Sequence, residues 1–498
     1  MLPAGLPPAH NEDFFDMELF TDQAGDEGLP GRERCLAMIS VMIATAMAVF
    51  DGSIVNIALP PIAQTLNVST GEAVWVANGY LLSVAVTLAA FSALARRTGF
   101  RAQFTVGIAV FTLASLGCAL STSLPWLIAM RVLQGIGGAA TLSIAPAIHR
   151  SIFPTRLLGR ILGLNALLVA TSSAVAPLLG GTLLAALSWQ WLFAINVPLG
   201  IAGTMLARRA IPKARVRGLP FDAAGALLSA AAMAALIMAA DSCAQLGSGG
   251  QAYVPLIYAA VAVAAGMAFV RRQRRAPEPL LPLDIFASTR FSMAALTSMA
   301  SFVGQGIAFI SLPILLESAY GYSPFASALL FTPWPVAIVF VAPYAGRLAD
   351  RHKPATLATA GLIVFAAGLA LLALLPYNAP IWDIAWRELV CGAGFGFFQS
   401  PNNREMLANV SRERSSNASG VLAIARTFGQ CLGTALVGVI LSAYAAHIAA
   451  GGGKLEGLAL AHAIEWTLWL AMAATVAALI ISSRRLGVRP AAAGQQPS

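Results

Sequence analysis

A chain of 498 residues that is 58% hydrophobic and only 11% charged excludes a soluble globular fold, because so little polar surface cannot cover so much apolar volume. The formal net charge of +9 could suggest nucleic acid, but the basic residues are spread over short loops rather than gathered in one patch, so no nucleic-acid partner is expected. The five cysteines show no CxxC spacing, which predicts neither a disulfide framework nor a metal site. This composition predicts a polytopic membrane protein whose surroundings are the lipid bilayer.

The first 34 residues are acidic and contain Pro and Gly, and they lack the basic segment and short apolar core of a secretory signal peptide. Such a composition buries too little apolar surface to fold, so residues 1–34 are expected to form a disordered cytoplasmic tail. The alternative is a short amphipathic turn, built from Phe14, Phe15, Leu19 and Phe20, that docks on a partner.

Fourteen apolar stretches follow, and each has the roughly 20 residues that a helix needs to cross a hydrocarbon core of about 30 Å. They begin near Leu36, Val74, Ala102, Leu124, Ile161, Trp189, Phe221, Ala252, Phe291, Ser323, Ala355, Ile381, Ala418 and Leu460. Twenty-seven of the 31 Lys and Arg residues fall in the two tails and in every second gap, whereas the other gaps hold only Lys454. Since cytoplasmic loops retain Lys and Arg, both termini are predicted to be cytoplasmic.

Two segments of the chain resemble each other. Trp126 and Arg131 are followed by glycines, and the same pattern recurs at Trp382 and Arg387, 256 residues later. Two homologous halves are typical of a transporter whose substrate site lies near the membrane midplane between them. The prediction is an all-α membrane fold with six-helix bundles at 35–210 and 276–485, two inserted linker helices at 211–275 and a cytoplasmic tail at 486–498.

Asp51 is the only acid in the first span, within the segment FDGSIVNIALPPIA. Counting back from Pro60 and Pro61, which are expected to end the helix, puts its carboxyl roughly 13 Å below the outer surface at the usual helical rise. A carboxylate at that depth costs on the order of 3 kcal/mol and therefore needs a cavity, a partner or a proton. The functional interpretation is a proton-binding acid, and the alternative is a structural Asp paired with backbone or Arg.

Arg131 in the fourth span lies at a similar depth, roughly 9 Å from the outer end of its helix. An always-charged guanidinium must face a polar interior there, and it would favour the ionised form of a nearby acid. Gln134, one turn further along, is expected to share this network. The alternative is an ion pair that serves only helix packing.

The fifth span contains VAPLLGG, in which Pro177 removes a backbone donor and kinks the helix. Gly180 and Gly181 allow the bent helix to lie close against a neighbour. The functional interpretation is a pliable gating helix between the two halves, and the alternative is a passive kink.

With these segments assembled, the chain resembles the major facilitator superfamily, and within it the fourteen-helix drug:proton antiporter group of the EmrB/QacA type. The resemblance covers about residues 35–485 and rests on FDGSIVNIALP (50–60), RVLQGIGG (131–138), APLLGG (176–181), WQWLFAINVPLG (189–200), FDAAG (221–225) and GRLADR (346–351). The WQWLFAINVPLG segment after an APLLGG helix is the most specific of these.

The resemblance implies twelve core helices, two inserted helices, and export of small amphipathic compounds against inward proton flow, with the proton gradient as energy source and no cofactor. It places the acid of helix 1 on Asp51, the arginine of helix 4 on Arg131 and the proline of the antiporter motif on Pro177. It also implies a multi-pass protein of the bacterial inner membrane, with a periplasmic membrane-fusion adaptor as an optional partner.

The chain departs from this family in the loop after its second span. The family pattern GxLaDRxGRR is replaced by SALARRTGFR, so Arg96 stands where an Asp is expected. The contact that holds the two halves together on the cytoplasmic side, here called the latch, is therefore expected to depend on the second copy of the motif, with Gly346, Asp350 and Arg351.

The substrate cavity is expected to be lined by Gln134, Asn165, Arg387 and Arg426. Arg426 lies inside the thirteenth span, where relatives that expel multivalent cations often place acids. Fixed cations in the cavity, partly offset by Glu388 beside Arg387, favour neutral or anionic substrates over dications. The alternative is that Arg387 and Arg426 pair structurally and leave the cavity neutral.

Two other functions compete with drug export. One is transport of a single physiological metabolite, such as a siderophore, vitamin or secondary product, which the same fold and coupling residues would serve. The other is an intramembrane enzyme or sensor, which would need a pattern such as HExxH or GxSxG; neither is present, so no enzyme is expected. Transport driven by ATP hydrolysis is not expected either, because the sequence contains no GxxxxGK[ST] loop.

Overall fold

The computed structural model describes residues 26–213, 221–244, 246, 251–276, 279–281, 283–377, 379–410, 415–450 and 457–487, and the regular elements of this part of the chain are all helices. In chain order the α-helices are α1 (Gly31–Leu66), α2 (Thr70–Thr98), α3 (Phe100–Ala119), α4 (Leu124–Leu142), α5 (Ala145–Ile152), α6 (Leu158–Ala186), α7 (Trp191–Ala194), α8 (Asn196–Ala210), α9 (Ala223–Ala244), α10 (Tyr253–Gln273), α11 (Thr289–Ile314), α12 (Pro324–Phe331), α13 (Pro333–Leu348), α14 (Pro354–Ala373), α15 (Ile381–Ala408), α16 (Ser415–Ala450) and α17 (Gly457–Leu486). The predicted all-α class is confirmed for the described residues.

Thirteen helical segments in the described ranges are long and apolar enough to cross a membrane. Three of them join two consecutive α-helices: α4 with α5, α7 with α8, and α12 with α13. Helix α15 has 28 residues but is less apolar, since it contains Asp383, Arg387, Glu388, Arg404 and Glu405. It nevertheless packs between α13 and α14, so the count of fourteen spans stays a prediction that depends on this helix.

Residues 26–34, which precede the predicted first span, make defined contacts with the rest of the protein. Helix α1 begins at Gly31, and the amide of Leu29 donates a hydrogen bond of 3.1 Å to the carbonyl of Ile152 in α5. Asp26 forms an ion pair with Arg156, with an N–O distance of 2.7 Å. Residues 26–34 therefore do not fit the prediction of a disordered tail, and the rest of that tail lies outside the described residues.

The prediction that Pro60 and Pro61 end the first helix is wrong. Helix α1 continues through both prolines to Leu66 and ends at Asn67, whose φ of 53° is the left-handed conformation of a helix C-cap. Each proline removes one backbone donor, yet the helix runs through both; Pro60 is buried and Pro61 is half-buried. Asp51 consequently lies near the middle of a 36-residue helix.

The two ends of the helical bundle are distinguished by their charge. The end that carries the basic loops, here called the basic end, holds the start of α1 and the end of α17, and Arg485 there donates to Asn402 Oδ1 at 2.7 Å. At the opposite end the early and late helices meet. A β-carbon at Gly71 of α2 would lie 2.7 Å from Ser442 Oγ of α16, and one at Gly181 of α6 would lie 2.9 Å from the carbonyl of Pro324.

Helices α9 and α10 form a hairpin that packs on α2 and α16. Asp222 closes the hairpin: it accepts hydrogen bonds from Arg272 Nε at 2.5 Å and Gln273 Nε2 at 2.9 Å, and it caps α9 by accepting the Gly225 amide at 2.9 Å. A β-carbon at Gly225 would collide with Asp222 and lie 2.6 Å from Gln273 Nε2. The FDAAG segment thus holds the two helices of the hairpin together. Trp75 Nε1 of α2 donates to Asp241 at 2.8 Å and attaches the hairpin to the core.

Candidate functional site

Asp51 of α1 and Arg131 of α4 form an ion pair, and the solvent-exposed fraction of each residue is 0%. The two helices that supply them are neighbours in the first group of helices, α1–α8. Taking two charges out of water is costly unless their remaining polar atoms are also satisfied. The surroundings of this pair meet that condition.

Both oxygens of the Asp51 carboxylate are occupied. Oδ2 accepts the Arg131 guanidinium, and Oδ1 accepts Gln134 Nε2 at 2.9 Å and Asn196 Nδ2 at 3.2 Å. Gln134 also accepts from Arg131 Nη1 at 2.6 Å and donates to Ser115 Oγ at 2.8 Å. An ionised carboxylate, which can only accept, satisfies this set of converging donors.

Arg131 is held in a fixed orientation. Its Nε donates to the carbonyl of Val76 in α2 at 2.9 Å. The guanidinium carbon lies 4.5 Å from the ring centroid of Tyr80 and 5.5 Å from that of Phe193, within the range of cation–π attraction. The planar guanidinium of Arg131 in α4 therefore contacts residues of α1, α2 and the short α7.

Helix α6 belongs to the first group but also contacts the last group of helices, α11–α17, as two of its glycines show. It includes Pro177 within its length. A β-carbon at Gly180 would lie 2.6 Å from Ile54 Cγ1 of α1, and one at Gly181 would lie 3.0 Å from the Cα of Phe325 in α12. This helix contacts α1 on one side and α12 on the other, and its role as a gate stays a prediction.

The residues expected to line one cavity are not gathered at one point. Arg387 of α15 pairs with Asp383 one turn earlier, with Nε–Oδ1 and Nη2–Oδ2 distances of 2.9 Å, and it also donates to the carbonyl of Leu371 in α14. It is thus neutralised within its own helix. Arg426 of α16 lies with its guanidinium carbon 5.9 Å from the Phe302 ring centroid.

Polar side chains accompany Arg426 between α11 and α16. Gln430, one turn further along α16, donates to Gln305 Oε1 at 3.1 Å. Asn165 lies elsewhere, near the start of α6, where its side chain faces His149 of α5. Of the predicted cavity residues, only Gln134 is in contact with the Asp51–Arg131 pair.

The second copy of the loop motif makes contacts within the last group of helices, α11–α17. Asp350 forms an ion pair with Arg404 of α15, and a β-carbon at Gly346 would lie 2.8 Å from Ser400 Oγ of the same helix. Arg351 is exposed in the turn after α13. The side chain of Arg96 lies outside the described residues, so the predicted latch between the halves stays a prediction.

Three residues of these networks are not predicted from the sequence. Asn196 and Ser115 complete the Asp51 site, and Asp383 neutralises Arg387. Asn196 lies in the quoted WQWLFAINVPLG segment, where a polar residue in an apolar run was a usable signal. Asp383 precedes Arg387 by four residues, the spacing of an ion pair along one helix.

The chain is similar in sequence to known membrane transporters. The profile of the Major Facilitator Superfamily matches residues 41–434. The chain is 43% identical over 422 residues to the uncharacterized transporter YebQ of Escherichia coli strain K12, covering 84% of this chain and 91% of that protein. It is 31% identical over 420 residues to the tetracenomycin C resistance and export protein of Streptomyces glaucescens, with coverages of 83% and 77%. It is 27% identical over 406 residues to the riboflavin transporter RibZ of Clostridioides difficile strain 630, with coverages of 81% and 87%.

Proposed function

The chain belongs to the major facilitator superfamily, and we propose that it is a proton-coupled antiporter that exports small amphipathic compounds across the bacterial inner membrane. The observation that carries the proposal is the buried Asp51–Arg131 pair, a titratable group held inside the membrane by a complete set of donors. In this account Asp51 binds the transported proton and Arg131 sets its affinity.

The coupling step follows from the hydrogen bonds of the site. When Asp51 takes up a proton, it loses the charge that pairs with Arg131, and the donors from Gln134 and Asn196 lose their anionic acceptor. Arg131 is then a buried cation without its counter-ion, which is a costly state. The helices that hold Arg131 must rearrange to relieve this cost, and that rearrangement is the proposed link between proton uptake and the change of access.

Export of drug-like molecules is supported by the relative from Streptomyces glaucescens, which is described as a resistance and export protein. The second candidate is transport of one physiological metabolite, which is favoured by the similarity to a riboflavin transporter. The coupling chemistry is the same for both, so only the substrate and the direction distinguish them.

The proposed orientation places the basic end in the cytoplasm, with fourteen spans and both termini inside. In a variant without native cysteines, a cysteine at Arg274, after α10, is then labelled only from the cytoplasm. A cysteine at Thr122, between α3 and α4, is labelled only from the other side. Labelling of both positions from the same side contradicts this topology.

The proposed function is tested with inside-out membrane vesicles from a strain without its own efflux pumps. An imposed pH gradient, acid inside, should drive accumulation of a fluorescent amphipathic substrate, and a protonophore should abolish it. Accumulation that persists without the gradient contradicts proton coupling. Failure to move any amphipathic compound, combined with transport of riboflavin or another metabolite, favours the second candidate.

A further inference from the structure

Helix α15 contains a second acidic side chain, Glu388, that the proposed coupling site does not use. The solvent-exposed fraction of Glu388 is 0%. Neither of its carboxyl oxygens has a hydrogen-bond partner among the described residues. An ionised carboxylate is not stable in such surroundings, whereas a protonated one is neutral and tolerates them.

The adjacent arginine does not neutralise Glu388. Arg387 directs its guanidinium to Asp383 and to the carbonyl of Leu371 in α14. Its charge is therefore already paired. Asp51 and Glu388 thus occupy opposite environments: Asp51 has three donors on its oxygens, and Glu388 has none in the described part of the chain.

Glu388 lies on the face of α15 that packs on α12 and α13. Ile384, one turn before it, belongs to the same apolar cluster as Leu330 of α12. Gly392, one turn after it, packs directly on Trp334, and its β-carbon would lie 2.9 Å from Cβ of Ala337. Because residues four apart share a helix face, Glu388 is placed between these two contacts.

The helix opposite this face is broken. Helix α12 ends at Phe331 and α13 begins at Pro333, with Thr332 between them. Pro335 has no N–H, so the carbonyl of Phe331 lacks the partner that an uninterrupted helix would provide. A protonated carboxyl can donate to such a carbonyl and an ionised one cannot. The buried hydroxyl of Ser327 and the indole N–H of Trp334 also lack partners within the described ranges.

The same broken helix contacts the first group of helices. A β-carbon at Gly181 of α6 would lie 2.9 Å from the carbonyl of Pro324 at the start of α12. Helix α12 thus packs on α6 of the first group as well as on α15, so it is the element through which a movement between the two groups would reach the face of Glu388.

The other charged or titratable groups near this face are few. On the elements packed against α15 near the level of Glu388 they are Glu317 at the end of the α11 segment, Arg426 of α16, and Asp383, Arg387 and Cys391 of α15 itself. The described residues of α14 include no charged side chain. Asp383 and Arg387 neutralise each other, and neither Arg387 nor Arg426 reaches Glu388, whose two carboxyl oxygens have no partner in the described part of the chain.

We infer that Glu388 is a second proton-binding site, protonated in the conformation described here and deprotonated when α12 and α13 separate from α15 and admit water. This inference rests on the proposed proton-coupled transport. In that account one transport cycle moves more protons than Asp51 alone supplies.

The proton on Glu388 is measured directly by infrared difference spectroscopy of the purified protein in lipid, as a function of pH. The carbonyl stretch of a protonated carboxyl should decrease as the pH rises, and a component of this band should be absent in Glu388→Gln. The matched control Glu465→Gln, in α17, should retain that component. Superimposable titrations of the wild type and Glu388→Gln overturn the inference.

A second variant covers the case in which Glu388→Gln does not fold. Glu388→Asp retains a carboxyl on a shorter side chain, so its band should titrate at a different pH from that of the wild type. An unchanged titration in Glu388→Asp overturns the inference, because the carboxyl observed would then belong to another residue.

Counting protons separates this inference from the proposed function. In proteoliposomes, the number of protons moved per substrate should fall in Glu388→Gln relative to the wild type and remain unchanged in Glu465→Gln. If the wild type moves no protons with substrate, the proposed function fails, and the spectra still decide whether Glu388 binds a proton. If coupling is present and Glu388→Gln leaves the ratio unchanged, the role of Glu388 in transport is overturned alone.

Discussion

Asp51 and Arg131 are 80 residues apart in the sequence, and their side chains form an ion pair that is closed to solvent on both sides. The equivalent arginine of the second half, Arg387, pairs instead with Asp383 on its own helix. The same sequence pattern of a Trp followed by an Arg thus recurs, but the two arginines have different kinds of ion-pair partner. The Asp51–Arg131 pair joins two helices, α1 and α4, whereas the Asp383–Arg387 pair lies within the single helix α15.

Replacing Arg131 with Lys should reduce transport by roughly tenfold or more, equivalent to about 1.4 kcal/mol or above. Arg131 uses Nε for the carbonyl of Val76 and Nη1 for Asp51 and Gln134, and an ammonium cannot reproduce that planar set of donors. Initial rates in vesicles, normalised to the amount of protein, measure the effect. Arg290→Lys, in α11, is the control, since Arg290 is distant from Asp51 in the sequence and pairs with Glu405. Wild-type rates in Arg131→Lys contradict this role.

Acid should loosen the hairpin of α9 and α10. Burial raises the pKa of Asp222, but hydrogen bonds from Gly225, Arg272 and Gln273 outweigh this effect, so the pKa lies below its usual value. A lowered pKa in the folded state means that the stabilisation is present at neutral pH and is lost as the pH falls through the folded-state pKa. The protection of the α9 amides against hydrogen exchange, corrected for the pH dependence of the intrinsic exchange rate, should therefore fall in acid.

Asp222→Asn should remove this pH dependence and cost roughly 1–2 kcal/mol at neutral pH, a modest value because the Arg272 side chain is 47% exposed. Asp284→Asn, outside the hairpin, is the control. If the amides of the α9–α10 hairpin in Asp222→Asn are as well protected against hydrogen exchange as in the wild type, with the same pH dependence, Asp222 does not hold the hairpin together.

Asp350→Asn should impair transport more than a neutral replacement of Arg96. Asp350 holds the end of α13 against Arg404 of α15, whereas Arg96 replaces the acid that the family motif normally has. The Asp350 and Arg404 side chains are 60% and 46% exposed, so the variant should unfold at nearly the wild-type temperature. Restoring Asp at position 96 should be tolerated. Equal loss of transport on neutralising Asp350 and Arg96 would show that Arg96 has an essential partner of its own.

Arg426→Gln should weaken the export of anionic compounds selectively. Arg131 and Arg387 are paired with acids, whereas Arg426 lies against the Phe302 ring. One uncompensated charge at ~4 Å is worth about 4 kcal/mol at an effective dielectric constant of 20, so a loss of tenfold or more is expected for a lipophilic weak acid. A neutral aromatic compound is the control substrate. Strong export of dications by the wild type, with no response to the weak acid, contradicts this preference.

The fold was largely predictable because apolar length and basic-residue placement are properties of the local sequence. The ends of the helices were less predictable: Pro60 and Pro61 are typical of a helix end, yet α1 continues through both to Leu66 and ends at the left-handed Asn67. The ordering of residues 26–34 depends on contacts with Ile152 and Arg156, which no local pattern reveals.

The site was predictable where a charge stood alone in an apolar run. Asp51 and Arg131 were found in this way, and Gln134 followed from its position one turn away. Asn196 comes from a distant part of the chain and reaches the same carboxylate only in the folded protein. Adjacency in the sequence does not make Glu388 the counter-charge of Arg387, because a helix directs consecutive side chains to different faces, and Asp383 takes that role instead.

The most direct test of the account compares wild-type protein and Asp51→Asn in proteoliposomes under an imposed pH gradient and in its absence. Asparagine keeps the shape of the side chain and removes its titrating group, so uphill accumulation of substrate should disappear while exchange of substrate down its own gradient continues. Accumulation of substrate against its gradient by Asp51→Asn, at the wild-type rate and with the same response to pH, would contradict the claim that Asp51 carries the proton.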